Sequence, residues 1–141
     1  MTLSSFTAAG PTTPTGDSGY QPGVCNIGPA EVTRRRRAGH VGLAAAVVLL
    51  AVLVLVNAPP LARLLVAIPA AGAASGYLQA WLRFCAAFGS RGVFNFGALG
   101  RTDHVEDAQA RTRDRGRAGQ IGVASVAIGL AVGIAVVLLP L

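Results

Sequence analysis

The stretch Arg34-Arg35-Arg36-Arg37-Ala38-Gly39-His40-Val41-Gly42-Leu43-Ala44-Ala45-Ala46-Val47-Val48-Leu49-Leu50-Ala51-Val52-Leu53-Val54-Leu55-Val56 decides how the rest of the chain is read. Four consecutive arginines sit directly before sixteen residues that are all apolar or glycine. With Ala38–His40 as an entry turn, the apolar part approaches the roughly 20 residues needed to cross ~30 Å of hydrocarbon at 1.5 Å per residue. A cluster of positive charge against such a helix holds that end in the cytoplasm. More than thirty residues precede the apolar core, too many for the charged start of a cleaved signal, so the stretch reads as an anchor.

Working outward, composition agrees. Of 141 residues, 52% are hydrophobic and 13% charged, well below the ~25% charge of soluble domains. The apolar residues gather into three blocks instead of spreading at core periodicity. The second block begins near Leu61, after Asn57-Ala58-Pro59-Pro60, whose prolines make a tight turn on the far side. Pro69 lies inside it and is expected to kink the helix. The third runs Ile121–Leu141 behind Arg111, Arg113, Arg115 and Arg117. All twelve basic residues are arginines, and in a three-span arrangement only Arg63 falls on the outer side. Its long stem is expected to snorkel to the interface.

The predicted fold class is therefore all-α integral membrane. It has three transmembrane helices, about 39–57, 61–82 and 120–140, with the N-terminus in and the C-terminus out. A disordered tail, 1–24, precedes the 25–141 membrane unit: it is rich in Thr, Ser, Gly and Pro, and lacks the charged start and early apolar core of a signal peptide. The expected location is the cell inner (cytoplasmic) membrane, multi-pass.

A cytoplasmic loop, 89–118, joins spans two and three. The second helix is expected to stop near Gly89. Tyr77, Trp81, Phe84 and Phe88, spaced four, three and four, are predicted to share one helix face at the membrane boundary. Glycine alternates with aromatic and aliphatic residues over 89–100, too apolar for a free linker and without the order of a phosphate loop. Thr102–Arg117 reads as a solvated helix, with a capped start at Asp103–Glu106 and an Asp107–Arg111 pair.

The +6 charge is directed at anionic headgroups rather than nucleic acid, because the arginines flank apolar helices. Arg34, Arg35, Arg36, Arg37, Tyr77 and Trp81 are the membrane-surface candidates. Ionisable groups that would line a transport path are missing between the span ends; Ser75, Gln79 and Ser125 supply the polar side chains there. No Ser/His/Asp set is visible, no cofactor is implied, and the expectation is not an enzyme. Cys25, His40, Cys85 and His104 share the cytoplasmic side but lack the paired spacing of a zinc site, so no metal is expected. Cys25 and Cys85 form the one alternative chemistry, a thiol module handling redox or sulfur with arginines nearby to favour thiolate.

Helix association needs close backbone approach, since lipid is as apolar as leucine. Gly72, Gly76 and Ala80 on the second span, and Ser125, Gly129 and Gly133 on the third, recur every four residues and mark packing faces. The second-span set is expected to pack within the chain. The third-span set is expected to meet another copy or a larger membrane complex. The function expected is an accessory, scaffold or interaction subunit.

The order Cys25-Asn26-Ile27-Gly28, Glu31, Arg34–Arg37, two apolar helices and Cys85 resembles a bacterial inner-membrane hairpin family that occurs alone or fused behind a rhodanese domain. The similarity covers about 25–89. The chain departs from it in lacking Cys-Pro after the second helix and in adding residues 90–118 and a third span. With no rhodanese domain, sulfurtransferase activity is not carried over. The resemblance implies a self-associating helical module near sulfur or redox partners.

Overall fold

The computed structural model describes residues 19–141, and the expectation of a disordered tail lies, for residues 1–18, outside them. Residues 19–24 depart from it, because Gly19–Gly28 folds back over one end of a helical layer. The elements are α1 (Pro29–Leu55), a 3-10 segment (Pro60–Val66), α2 (Ala67–Leu82), α3 (Ala86–Arg91), β1 (Val93–Phe94), β2 (Asp103–His104) and α4 (Ala108–Leu138). Three stretches, Pro29–Leu55, Pro60–Leu82 and Ala108–Leu138, are long and apolar enough to cross a membrane.

Pro29 and Glu31 occupy the first turn of α1, where a missing N–H costs nothing and a carboxylate meets the positive helix end. The helix closes in a Schellman arrangement. Ala58 N–H bonds Leu53 O at 2.9 Å and Asn57 N–H bonds Val54 O at 3.0 Å, with Asn57 left-handed at φ 55°. Pro69 does not kink the next helix midway. It lies in the first turn of α2, and the chain ahead of it is wound as 3-10 helix, the form it keeps until Val66. The proline ring would collide with the carbonyl four residues back in a continuous α-helix, so the irregularity moves upstream.

α2 is the middle of the layer: α1 packs on one side of it and α4 on the other. The α1–α2 crossing is made by glycine. A Cβ on Gly76 would lie 2.5 Å from Gly39 N and 2.8 Å from Arg35 O, and one on Gly42 would lie 2.6 Å from Ala73 N. The α2–α4 crossing uses Gly129, where a Cβ would come within 2.6 Å of Ala67 O, and Gly133, 2.9 Å from Ala67 Cβ. The small face of α4 is therefore filled by its own chain, which corrects the expectation that it is free for another subunit. The sequence stripe was right about closeness and wrong about the partner, because the 89–107 connection returns α4 directly against α2.

Arg63 is buried and does not snorkel outward. Its guanidinium donates to the main-chain oxygens of Leu139 at 3.1 Å and Leu141 at 2.9 Å, capping the carbonyl end of α4. Favourable charge at that end of the helix dipole explains the inward turn.

α2 ends at Leu82, earlier than Gly89, with Arg83 left-handed at φ 55°. Gly89 instead sits within α3, where a Cβ would come 2.8 Å from the Phe84 ring and 2.9 Å from Asp114 O. The break at Arg83 also divides the expected aromatic stripe. Phe84 and Phe88 are buried, Tyr77 meets His40, and Trp81 alone stands out, 79% exposed. The 89–118 connection is folded: α3, an antiparallel β1–β2 pair with Val93 opposite His104, and the first turns of α4. Asp107 is the true cap of α4, accepting from Gln109 N–H at 3.2 Å. Arg111 does not pair with it but donates to Val105 O and Glu106 O, so the acid is spent on the helix end.

Candidate functional site

The arginine-rich end of the helical layer is closed by a cap with two apolar clusters. One joins Tyr20, Phe94, Val105 and Ala110; the other joins Ile27, Cys85, Phe88 and Val93. Four buried polar side chains, Asn26, Glu31, Asn95 and Asp114, stitch them together, and of these only Asn26 and Glu31 stand out in the sequence, within the stretch that carries the family resemblance. Asn26 pairs with the backbone of Cys85, accepting from its N–H at 2.7 Å and donating to its carbonyl at 3.1 Å. Asn95 N–H donates to Asn26 O at 3.0 Å, and Gly28 N–H donates to Asn95 O at 2.9 Å, so 26–28 runs as an added strand beside 95. The Asn95 side chain donates to Glu31 Oε2 at 3.2 Å.

Glu31 is 1% exposed and flanked by Arg34 at 3.7 Å and Arg35 at 3.8 Å. A buried carboxylate is tolerable only with such compensation. Asp114, on the first turns of α4, is fully buried and accepts from the Tyr20 hydroxyl at 2.6 Å and Gly23 N–H at 2.8 Å. Burial pushes the Tyr20 phenol above its ordinary range, and the hydrogen bond and charge of Asp114 add to this. The signal for this cap in the sequence was an acid within an arginine-rich helix start and asparagines among apolar residues. Their partners lie 59 to 94 positions away, beyond any local pattern.

Both cysteines are free thiols and lie in the cap, but each has its own partner. Cys85 is fully buried and its Sγ accepts from Arg35 Nη2 at 2.9 Å. Cys25 is half-buried, with its thiol 3.7 Å from Ile27 O. Burial pushes the Cys25 thiol up, against smaller opposing contributions from the Ile27 contact and the Arg83 charge, which corrects the expectation that nearby arginine makes it thiolate-prone. His40 is hydrogen-bonded to the Tyr77 hydroxyl at 2.7 Å, and His104 lies in β2. Among the described residues, no three His, Cys, Asp or Glu side chains converge as metal ligands would.

The packing candidates divide. Gly76, Gly129 and Gly133 lie at close helix contacts, Ala80 and Ser125 are buried, and Gly72 faces open space. Gly39 and Gly42, which were not singled out from sequence, are the counterparts of Gly76 and Ala73. Of the four arginines, Arg34 and Arg35 attend Glu31, Arg37 is exposed, and Arg36 lines a cleft of about 700 Å³. That cleft lies between the 19–36 segment and the end of α2, with Thr33, Trp81, Arg83, Cys25 and Phe96 among its walls.

Comparison with known proteins finds no matching family, no matching curated protein and no matching solved structure. The resemblance over residues 25–89 rests on the quoted residues alone.

Proposed function

We propose that this chain is a multi-pass protein of the cell inner membrane, N-terminus in the cytoplasm and C-terminus outside, that serves as an accessory or interaction subunit through helix packing. Its partner is another copy or a larger membrane complex. The observation that carries the reading is the one-sided packing of α1. Only Glu31, Gly39 and Ala46 of this 27-residue helix are buried. Val41, Val48, Val52 and Leu55, spaced seven, four and three, form an exposed face away from α2, and the exposed Ala44, Ala45 and Ala51 among them supply the small residues that close helix approach needs. The rigid cap supports the same reading, since it fixes α1 to α2 and α4 at the arginine-rich end and leaves that outer face in a set orientation.

The test is cross-linking in native membranes from a photoreactive residue at Val48, with buried Ala46 as the control position. The reading expects one adduct of fixed mass from Val48, either twice the chain or chain plus one partner, and none from Ala46. Adducts with lipid alone from Val48, Val41 and Val52 would overturn it.

A further inference from the structure

The cleft beside α1 has the makings of a phosphate site at one defined depth. Arg36 and Arg83 both line it, and among the described residues no Asp or Glu does and neither guanidinium has a hydrogen-bond or ion-pair partner. The volume, about 700 Å³, falls in the range of small-ligand sites, ~300–1,000 Å³. Thr33 adds a hydroxyl, and Trp81 and Phe96 add aromatic walls.

Depth comes from the helix crossing. Gly76 touches Gly39, and the continuous apolar run of α1 starts at Val41. Counted from Val41, Arg36 is five residues out, about 8 Å, and Trp81, five residues past the Gly76 contact, is about 10 Å out along helices rising 1.5 Å per residue. The polar layer of a bilayer is about 5–8 Å thick on each side. Arg36 therefore stands at headgroup depth, and the exposed Trp81 stands at its outer edge.

We infer that the cleft between the start of α1 and the end of α2 holds the phosphate-bearing headgroup of an anionic phospholipid, with Arg36 and Arg83 as its counter-charges and Trp81 against the outer side of the headgroup. This rests on the membrane placement proposed above. It goes further in naming one occupied site in place of a diffuse charged surface.

Trp81 is the sole tryptophan, so its emission reports on the cleft directly. The full chain in phosphatidylcholine nanodiscs is titrated with phosphatidylglycerol. The expected result is a saturable change in Trp81 emission whose midpoint moves about thirtyfold in Arg36→Gln/Arg83→Gln, the loss expected for two surface cations. Arg36→Lys/Arg83→Lys keeps the charge and should keep most of the response, which guards against simple misfolding. Arg37→Gln/Arg91→Gln removes the same charge outside the cleft and should shift the midpoint clearly less. Equal shifts in both Gln pairs would overturn the site in favour of a general surface effect, while leaving the membrane reading intact. An emission change produced by inorganic phosphate alone would overturn the lipid assignment. Recovery of the chain outside the discs would overturn the membrane reading and the site together.

Discussion

The side-chain amide of Asn26 is paired with both main-chain groups of Cys85, at 2.7 and 3.1 Å, across fifty-nine positions of sequence. It acts as a one-residue strand partner, fixing the entry to α1 against the exit from α2. Asn26→Ala leaves the buried Cys85 N–H unpaired, at about 1–3 kcal/mol, while the Cys85 carbonyl keeps its bond from Gly89 N–H at 2.9 Å. In a Cys25→Ser background, alkylation of Cys85 by a small maleimide reads the opening of the cap. The expected rate rises about fivefold or more in Asn26→Ala, and an unchanged rate would count against this pairing as the fastening of the cap.

Tyr20 and Asp114 make the second fastening. The buried phenol holds its proton more tightly than the ordinary value of 10.0 because of desolvation first and Asp114 second. Its contribution is therefore complete below about pH 10 and declines as the pH rises above it, when the unfolded chain ionises first. Tyr20→Phe should cost about 1.5–3 kcal/mol at neutral pH, the range for a hydrogen bond to a charged group. The gap between parent and variant should narrow above pH 10. Denaturation in mild detergent across that pH range checks it, and a constant gap would remove the ionisation from the account.

Two glycines four residues apart should respond in opposite ways. Gly76→Ala drives a methyl into the Gly39 and Arg35 backbone and should destabilise by about 1–3 kcal/mol. Gly72→Ala meets open space and should gain up to about 1 kcal/mol from helix propensity. Unfolding midpoints of the two variants decide this directly, and matching shifts would contradict the crossing described.

The contrast shows what a single sequence makes legible. Apolar length and arginine position gave the three helices, since both are properties of contiguous residues. A four-residue recurrence of small side chains marked Gly76, Gly129 and Gly133 as close contacts, but it could not say which helix meets them. Gly39 and Gly42 were hidden because α1 is apolar around its whole circumference and no face stands out. The cap was the least legible part. Asn26, Asn95 and Asp114 acquire their meaning only from residues 59 to 94 positions away, and Arg83 ends α2 in a left-handed conformation that its side chain does not advertise. Arg63 was misread because its partners, the carbonyls of Leu139 and Leu141 just past the end of α4, lie 76 and 78 positions away.

Arg63 supplies the next test. Its two bonds to Leu139 and Leu141 are the cap of α4 away from the arginine-rich end. Arg63→Leu keeps the side chain apolar-compatible and removes both, at about 1.5–3 kcal/mol for charge-assisted bonds. Amide hydrogen exchange over the last two turns of α4 should accelerate about tenfold or more, with no change at Ala118–Ser125. Uniform acceleration along α4 would mean that Arg63 supports the whole helix.

The central claim is the orientation: cap and arginines in the cytoplasm, the Asn57–Pro60 turn outside. Single cysteines at Ala108 and Ala58, in a Cys25→Ser/Cys85→Ser background, can be treated in intact cells with a membrane-impermeant maleimide. The account predicts labelling at Ala58→Cys and none at Ala108→Cys until the membrane is permeabilised. Labelling at Ala108→Cys in intact cells, with Ala58→Cys protected, would contradict it.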